Sequence, residues 1–183
     1  MTFAYLTGWR VQSEVLPLKW VQVDRTAKTI RLEVGTTKSR DGRTLPYDLL
    51  PELVDLIDVQ WREHERLKEA GVICPFVFHR NGKPIRDFRG AWEAACKAAG
   101  CPDKIVHDFR RTAVRNFERA GVSRSAAMQV TGHKTESVYR RYAIVSEGDI
   151  REAFGKLAST QQPSAATRTG QVTQFERRAA SER

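Results

Sequence analysis

A histidine and a tyrosine in the stretch TGHKTESVYRRY are the residues of this sequence best suited to do chemistry. His133 follows a glycine, and Arg140 and Arg141 directly precede Tyr142. A tyrosine hydroxyl has an ordinary pKa of about 10, so it is a poor nucleophile near neutral pH unless neighbouring positive charge favours the phenolate. A reactive Tyr142 therefore requires cations that the fold brings to it from elsewhere in the chain.

Two arginines with suitable neighbours are candidates for those cations. In HDFRRT, His107 and Arg110 are spaced so that a helix would place both side chains on one face. In TGWRVQSE, Gly8 permits close approach of the backbone at Arg10, and Glu14 follows one helical turn later, where it can hold the guanidinium. A guanidinium offers a rigid fork of donors that matches two oxygens of a phosphate. The pattern therefore indicates a phosphate ligand.

A lysine between two extended runs is a further candidate. Lys38 lies in GTTKSRDGR, at the end of a predicted strand that leads into a hairpin, from which its ammonium can enter a groove. Each candidate also has an ordinary interpretation: a helix-start histidine with a solvated arginine, a surface Arg/Glu pair, or a solubilising lysine at a sheet edge. Taken one residue at a time, the ordinary interpretation is favoured.

The elements that must position these residues are mostly helical, so the predicted fold class is α+β, mainly α-helical. Residues 2–20 have apolar side chains at roughly helical spacing, interrupted by a glycine and stopped by a proline. Three runs rich in β-branched residues, VQVD, TIRLEV and RTLPY, then predict a small antiparallel sheet with a turn at Asp41-Gly42. Asn81-Gly82 predicts a second turn. The later helices are predicted over residues 51–70, 87–99, 108–120, 123–131, 135–145 and 148–158.

The balance of charge favours a polyanionic partner. Lys and Arg total 31 against 22 Asp and Glu, so the net charge of the 183 residues is +9. The sequence has no apolar run long enough to span a membrane and no CxxC pair among its three cysteines. The stretch MTFAYLTGWR lacks the basic and long apolar regions that are typical of a secretory leader. We therefore expect a cytosolic (cytoplasmic) protein without a metal site. Residues 159–183 are poor in apolar side chains and are predicted to form a disordered tail.

In combination, the candidate residues resemble the catalytic signature of the tyrosine recombinases, the phage integrase family of site-specific recombinases. TGWRVQSE is similar to the first arginine box of that family, TTKSRDGRTLP to its lysine hairpin, HDFRRT to its second box and TGHKTESVYRRYAIV to its histidine-to-tyrosine box. The resemblance implies a DNA breaking-rejoining catalytic domain over residues 1–158. The catalytic residues that it implies are Arg10, Lys38, His107, Arg110, His133 and Tyr142.

The resemblance also implies a role for each cation around the tyrosine. Arg10 and Arg110 are expected to clamp the non-bridging oxygens of a phosphodiester, because its transition state spreads additional negative charge over them. His107 and His133 are expected to donate hydrogen bonds, and His107 can also take the proton of the tyrosine.

The expected reaction on double-stranded DNA leaves a 3′-phosphotyrosyl bond. Tyr142 attacks the phosphorus, and Lys38 protonates the 5′-hydroxyl that leaves. Because the linkage retains the energy of the phosphodiester, a second 5′-hydroxyl can rejoin the strands without ATP, metal or another cofactor. Tyr139 competes for the role of nucleophile, but the spacing from His133 and the following AIV favour Tyr142.

Other functions and the state of assembly remain open from sequence. A type IB topoisomerase would use the same nucleophile but rejoin the same strand, and a DNA-binding remnant would keep the residues without turnover. Since Arg10 lies near the first methionine, we expect the N-terminal DNA-clamping domain of the family to be absent and DNA binding to be correspondingly salt-sensitive. Residues 148–158, with an apolar stripe at Ile150, Phe154 and Leu157, are expected to pack in trans within a homo-oligomer, a tetramer on DNA.

Overall fold

The computed structural model describes residues 1–35, 42–143, 145 and 147–161 of the chain. Within these ranges the fold is mainly helical with two small antiparallel sheets, which confirms the predicted fold class. The helices are α1 (Thr2–Thr7), α2 (Pro51–Glu69), α3 (Arg89–Ala98), α4 (Asp108–Arg119), α5 (Arg124–Thr131), α6 (Glu136–Arg140) and α7 (Glu147–Gln161). The strands are β1 (Val23–Asp24), β2 (Thr29–Leu32), β3 (Arg43–Pro46), β4 (His79–Arg80) and β5 (Lys83–Pro84).

The three-stranded sheet has the order β1-β2-β3 and forms from the runs rich in β-branched residues. Ile30 of β2 pairs with Leu45 of β3, and both side chains are buried. Because side chains alternate along a strand, Arg43 lies on the same face as Leu45. The turn between β2 and β3, with Lys38, falls in residues 36–41, outside the described part of the chain.

The second sheet is the hairpin of β4 and β5. Its turn residues Asn81 and Gly82 have positive φ values of 51° and 76°. Positive φ at both central residues is what a two-residue hairpin turn of the favoured hand requires, and Asn-Gly adopts it with little strain. The predicted Asn-Gly turn is therefore confirmed.

An apolar core joins α1, α2 and the three-stranded sheet. Phe3 of α1 is fully buried beside Leu53 and Ile57, which lie one turn apart on α2 and form its apolar stripe. Trp9 is also buried, and its indole Nε1 donates to the carbonyl oxygen of Val130 at 2.9 Å. That long-range hydrogen bond ties the chain after α1 to α5.

A second apolar cluster joins the three helices that carry the later candidate residues. Val114 of α4, Ala127 of α5 and Tyr139 of α6 are fully buried against one another. The predicted N-cap of α5 is present, since the Ser123 hydroxyl accepts from the N–H of Ala126. The cluster therefore fixes the mutual positions of the end of α6 and the start of α4.

The N-terminal segment differs from the single interrupted helix predicted over residues 2–20. α1 ends at Thr7 because Gly8 adopts the left-handed conformation, with φ 68°. The chain then resumes as one π-helical turn at Val11–Val15. Apolar spacing does not distinguish the two kinds of turn, because both bury the same side of the chain.

The chain divides into two units, residues 1–144 and 145–183. The boundary at residue 158 predicted for the catalytic domain stays a prediction. In the second unit α7 continues to Gln161, past the predicted start of the tail, and residues 162–183 lie outside the described part. No helix among the described residues is both long and apolar enough to cross a bilayer.

Candidate active site

The start of α4 presents two of the candidate residues. His107 is the residue just before the helix, and the N–H of Arg110 donates to its carbonyl oxygen at 3.1 Å. Phe109 packs against the main core, and Ala113, one turn later on the helix, is buried. The packing of α4 therefore fixes the backbone positions of His107 and Arg110. Both residues lie at the start of one helix, as their spacing predicts.

Arg110 is a buried cation held by backbone carbonyls. Its Nη1 donates to the carbonyl oxygens of Gly8 and Thr131, each at 2.6 Å, and its Nε donates to Nε2 of His133 at 3.2 Å. Its Nη2 is buried without a hydrogen-bond partner in the part of the chain that the structure describes. Burial, and after it the charge of Arg10, lowers the pKa of Arg110 to about 10, which leaves the guanidinium protonated at neutral pH.

His133 is a neutral imidazole whose tautomer is set by its partners. Because Nε2 accepts from Arg110, Nδ1 carries the proton and donates to the hydroxyl of Thr131 at 2.7 Å. That hydroxyl donates in turn to the carbonyl oxygen of Ala127 at 2.7 Å. Burial, followed by the charge of Arg110, lowers the pKa of His133 to about 3. Both ring nitrogens are thus engaged. The hydrogen bond to phosphate expected from the sequence requires Nε2 to leave Arg110 and to gain a proton.

Tyr142 lies just beyond α6 and points into this cluster. The helix predicted over residues 135–145 ends at Arg140, because the N–H of Tyr142 donates to the carbonyl oxygen of Tyr139 and tightens the chain into a turn. The Tyr142 hydroxyl lies 2.9 Å from Nε2 of His107. The Tyr142 ring lies 5.0 Å from the ring of His133, centroid to centroid.

Tyr139 has a different environment from Tyr142. It is fully buried in the second apolar cluster, and its ring packs edge-on against His133 at 5.3 Å between centroids. Burial raises the pKa of its hydroxyl, so the phenolate is disfavoured at that position. The Tyr139 hydroxyl thus lies in the apolar cluster, whereas the Tyr142 hydroxyl lies beside His107. The choice of Tyr142 as nucleophile stays a prediction.

Arg10 is held by Glu14, as the sequence predicts. The guanidinium Nη1 of Arg10 donates to Oε1 of Glu14 at 2.7 Å, and the backbone N–H of Arg10 donates to Oε2 at 2.8 Å. The Glu14 side chain is fully buried, whereas that of Arg10 is 29% exposed. The positive charge of Arg10 lowers the pKa values of His107, Arg110 and His133, so it contributes to one electrostatic cluster with them.

Arg43 belongs to the same cluster, although it is not among the candidate residues predicted from the sequence. Its Nη2 donates to Oε2 of Glu14 at 2.6 Å, and its guanidinium carbon lies 4.7 Å from the centroid of the Trp9 ring. Its charge also lowers the pKa of His133. The sequence contains one signal for it. Arg43 lies two residues before the apolar Leu45, so both side chains lie on the inward face of β3.

A groove of about 600 Å³ opens beside this cluster. Its lining combines Arg43 and His133 with residues of α5 and of the turn that follows it, including Arg124 and Lys134. Among the described residues, no group of three or more His, Cys, Asp or Glu side chains is arranged as metal ligands. Lys38 lies in residues 36–41, outside the described part, so its place relative to the groove stays a prediction.

Comparison with known proteins assigns the chain to a family. The sequence model of the phage integrase family matches residues 1–148. The integrase of Salmonella phage P22 is 28% identical over 166 residues, which make up 86% of this chain and 41% of that protein. The chain thus spans less than half the length of this relative.

Solved structures share the fold. The XerA recombinase superposes with a TM-score of 0.68 at 19% identity, covering 84% of this chain and 55% of its own. The Tn1549 transposon integrase, in complex with a circular intermediate DNA, superposes with a TM-score of 0.63 at 18% identity, covering 84% of this chain and 56% of its own. At these identities the likeness concerns the fold alone. With the family match over most of its length, the chain belongs to the phage integrase family.

Proposed function

We propose that this chain catalyses site-specific recombination of double-stranded DNA in the cytoplasm, cutting and rejoining strands through a 3′-phosphate bond to Tyr142. The carrying observation is the 2.9 Å approach of the Tyr142 hydroxyl to Nε2 of His107, next to the buried cation of Arg110. A phenol paired with a base beside fixed positive charge suits attack on a phosphodiester. The DNA-bound structure of the Tn1549 transposon integrase supports DNA as the partner.

His107 is proposed as the base that takes the proton of Tyr142. Burial, and after it the charge of Arg110, lowers the pKa of His107, so its ring is neutral at pH 7. A neutral imidazole protonated on Nδ1 offers a lone pair on Nε2, the atom nearest to the phenol. Proton transfer along this hydrogen bond would release the phenolate as it attacks.

Arg110 and Arg10 are proposed to bind the non-bridging oxygens of the phosphate. Burying a donor without a partner is unfavourable, and a phosphate oxygen placed on the unpartnered Nη2 of Arg110 would provide that partner. The partly exposed guanidinium of Arg10 supplies the second positive charge. His133 is proposed to orient Arg110 in the free protein. When DNA binds, its Nε2 is proposed to release Arg110, to take up a proton from solvent and to donate it in a hydrogen bond to the phosphate. Lys38 is proposed to protonate the 5′-hydroxyl that leaves.

We also propose that α7 packs on a neighbouring protomer in a tetramer on DNA. Ile150 and Phe154 lie one turn apart on α7 and are 49% and 67% exposed. An apolar stripe on an exposed helix suits insertion into an apolar groove. Deleting residues 148–183 should leave the first unit folded by circular dichroism and abolish assembly on DNA. An unchanged oligomer mass in light scattering would overturn this part.

The covalent step is tested with a suicide DNA duplex that carries the attachment site of the genetic element encoding this chain. The proposal predicts a protein–DNA adduct that withstands denaturant and forms in the presence of EDTA. Tyr142→Phe should abolish the adduct, and Tyr139→Phe, the matched control one turn earlier, should retain it. A footprint without an adduct would indicate binding alone, and relaxation of supercoiled DNA without any specific site would indicate a topoisomerase.

A further inference from the structure

We propose that Arg43 is a positioning residue that neutralises Glu14, so that Arg10 keeps a net positive charge for the phosphate. The inference rests on the proposed function of the site. It assigns Arg43 an electrostatic role through Arg10, without contact between Arg43 and DNA.

Glu14 is shared between two guanidinium groups. Its Oε1 accepts from Nη1 of Arg10, and its Oε2 accepts both from the backbone N–H of Arg10 and from Nη2 of Arg43. The Glu14 side chain has no solvent exposure, so water does not screen its charge. With Arg43 present, the three side chains carry a net charge of +1. Without it, Glu14 would cancel the charge of Arg10, and the pair would attract a phosphate far less.

Most of the Arg43 side chain is engaged by contacts within the chain, although the residue also borders the groove beside the site. Its side chain is 6% exposed, and its guanidinium lies between the carboxylate of Glu14 and the ring of Trp9. A third side is closed by Gly132, where an added Cβ would collide with the guanidinium of Arg43. Gly132 has φ 71°, which favours glycine, and a larger residue there would also displace the Arg43 guanidinium.

The position of Arg43 in the sheet adds a second consequence. Arg43 begins β3, directly after the segment that contains Lys38. Its ion pair with Glu14 therefore fixes the start of β3 against the Arg10 side of the site. One side chain thus balances the charge of the Arg10 clamp and anchors the strand that follows Lys38.

The test separates charge from shape by compensation. Arg43→Met keeps the length of the side chain without its charge, and we expect single-turnover cleavage of the suicide duplex to fall at least about tenfold. Adding Glu14→Gln removes the opposing charge, and the double variant should cleave within about tenfold of wild type and faster than Arg43→Met. Arg31→Met is the matched control, an exposed arginine on the neighbouring strand, and should cleave like wild type.

Two results would overturn the proposal. One is wild-type cleavage by Arg43→Met, and the other is a folded double variant that cleaves about a hundredfold or more below wild type. If Arg43→Met does not fold, the double variant still tests the proposal. It replaces the buried carboxylate of Glu14 with a neutral amide, so the loss of Arg43 leaves no uncompensated negative charge beside Arg10. Folding of each variant is checked by its thermal midpoint.

A binding measurement distinguishes this proposal from the proposed function. In a Tyr142→Phe background, the slope of log Kd against log salt concentration should fall by about one for Arg43→Met and return with Glu14→Gln, because one phosphate contact is lost and regained. If the wild type forms no adduct with DNA, the covalent chemistry is refuted. The salt dependence of binding would still test the role of Arg43. Equal slopes in all variants would refute the role of Arg43 alone.

Discussion

The Tyr142 hydroxyl and Nε2 of His107 lie 2.9 Å apart, although the two residues are 35 positions apart in the chain. The turn after α6 brings the tyrosine, and the start of α4 brings the histidine. The buried contacts of Tyr139 with Val114 and Ala127 hold these elements together. The proposed nucleophile and its proposed base are therefore paired by the fold before any DNA binds.

The rate of cleavage should fall at acid pH because His107 must be neutral to accept a proton. Its pKa is lowered by burial and by Arg110, so the acid limb should be centred below the ordinary histidine value of about 6.5. The measurement is the adduct rate at subsaturating DNA against pH, which reports the free protein. His107→Gln should be slow and should lack this limb. A limb centred above about pH 6.5 would contradict the assignment.

The free energy of unfolding should decrease as the pH is lowered, because His133 is neutral in the folded chain. Its pKa of about 3 in the folded chain lies below the value of about 6.5 expected after unfolding, so the unfolded chain binds the proton first. The free energy of unfolding should be fully maintained above about pH 6.5 and fall by about 1.4 kcal/mol per pH unit between about pH 6 and 3. Urea titrations of wild type and His133→Gln check this. Equal pH dependence in the two proteins would show that His133 is not buried neutral.

Thr131→Val should impair both stability and cleavage. Valine has the shape of threonine but cannot accept from Nδ1 of His133, which would leave a buried donor unpaired at a cost of about 1–3 kcal/mol. Loss of the fixed tautomer would also free Arg110, and cleavage should fall about tenfold or more. Thr112→Val is the control, since its hydroxyl donates to the carbonyl oxygen of Asp108 in its own helix. Cleavage by the control should equal that of wild type.

Gly8→Ala should be more damaging than the same change at a glycine of similar conformation. Gly8 and Gly121 have φ values of 68° and 70°, so alanine costs about 1–2 kcal/mol at either position. At Gly8 the new Cβ would also lie 3.0 Å from Cγ2 of Thr131 and 3.1 Å from Cβ of Ala113, whereas Gly121 has open space. Denaturation should show a larger loss for Gly8→Ala. Cleavage should fall for Gly8→Ala alone, since the Gly8 carbonyl holds Arg110.

Local patterns were sufficient for the elements and for much of the candidate site. The apolar stripe of α2, the Asn81-Gly82 turn and the spacing of His107 from Arg110 are each set by neighbours within a few residues. The pairing of Arg10 with Glu14 is equally local, and the structure contains it. Such features could be read from the sequence because backbone geometry alone determines which side chains share a face.

Long-range partners could not be read in the same way. Arg43 meets Glu14 across 29 positions, and nothing in the spacing of either residue specifies that contact. The tautomer of His133 depends on Arg110 and on the Thr131 hydroxyl, which only the fold brings to its two nitrogens. The same limit explains the early end of α6, because the turn at Tyr142 is set by the packing of Tyr139.

The proposed bond between Tyr142 and DNA is tested most directly by identifying the amino acid that carries the DNA. The adduct trapped on the suicide duplex is digested with nuclease and protease, and the modified peptide is sequenced by mass spectrometry. We expect a nucleotide attached to Tyr142 in the wild type and in Tyr139→Phe, and no adduct in Tyr142→Phe. A nucleotide on any other residue, or an adduct that persists in Tyr142→Phe, would contradict the proposed bond.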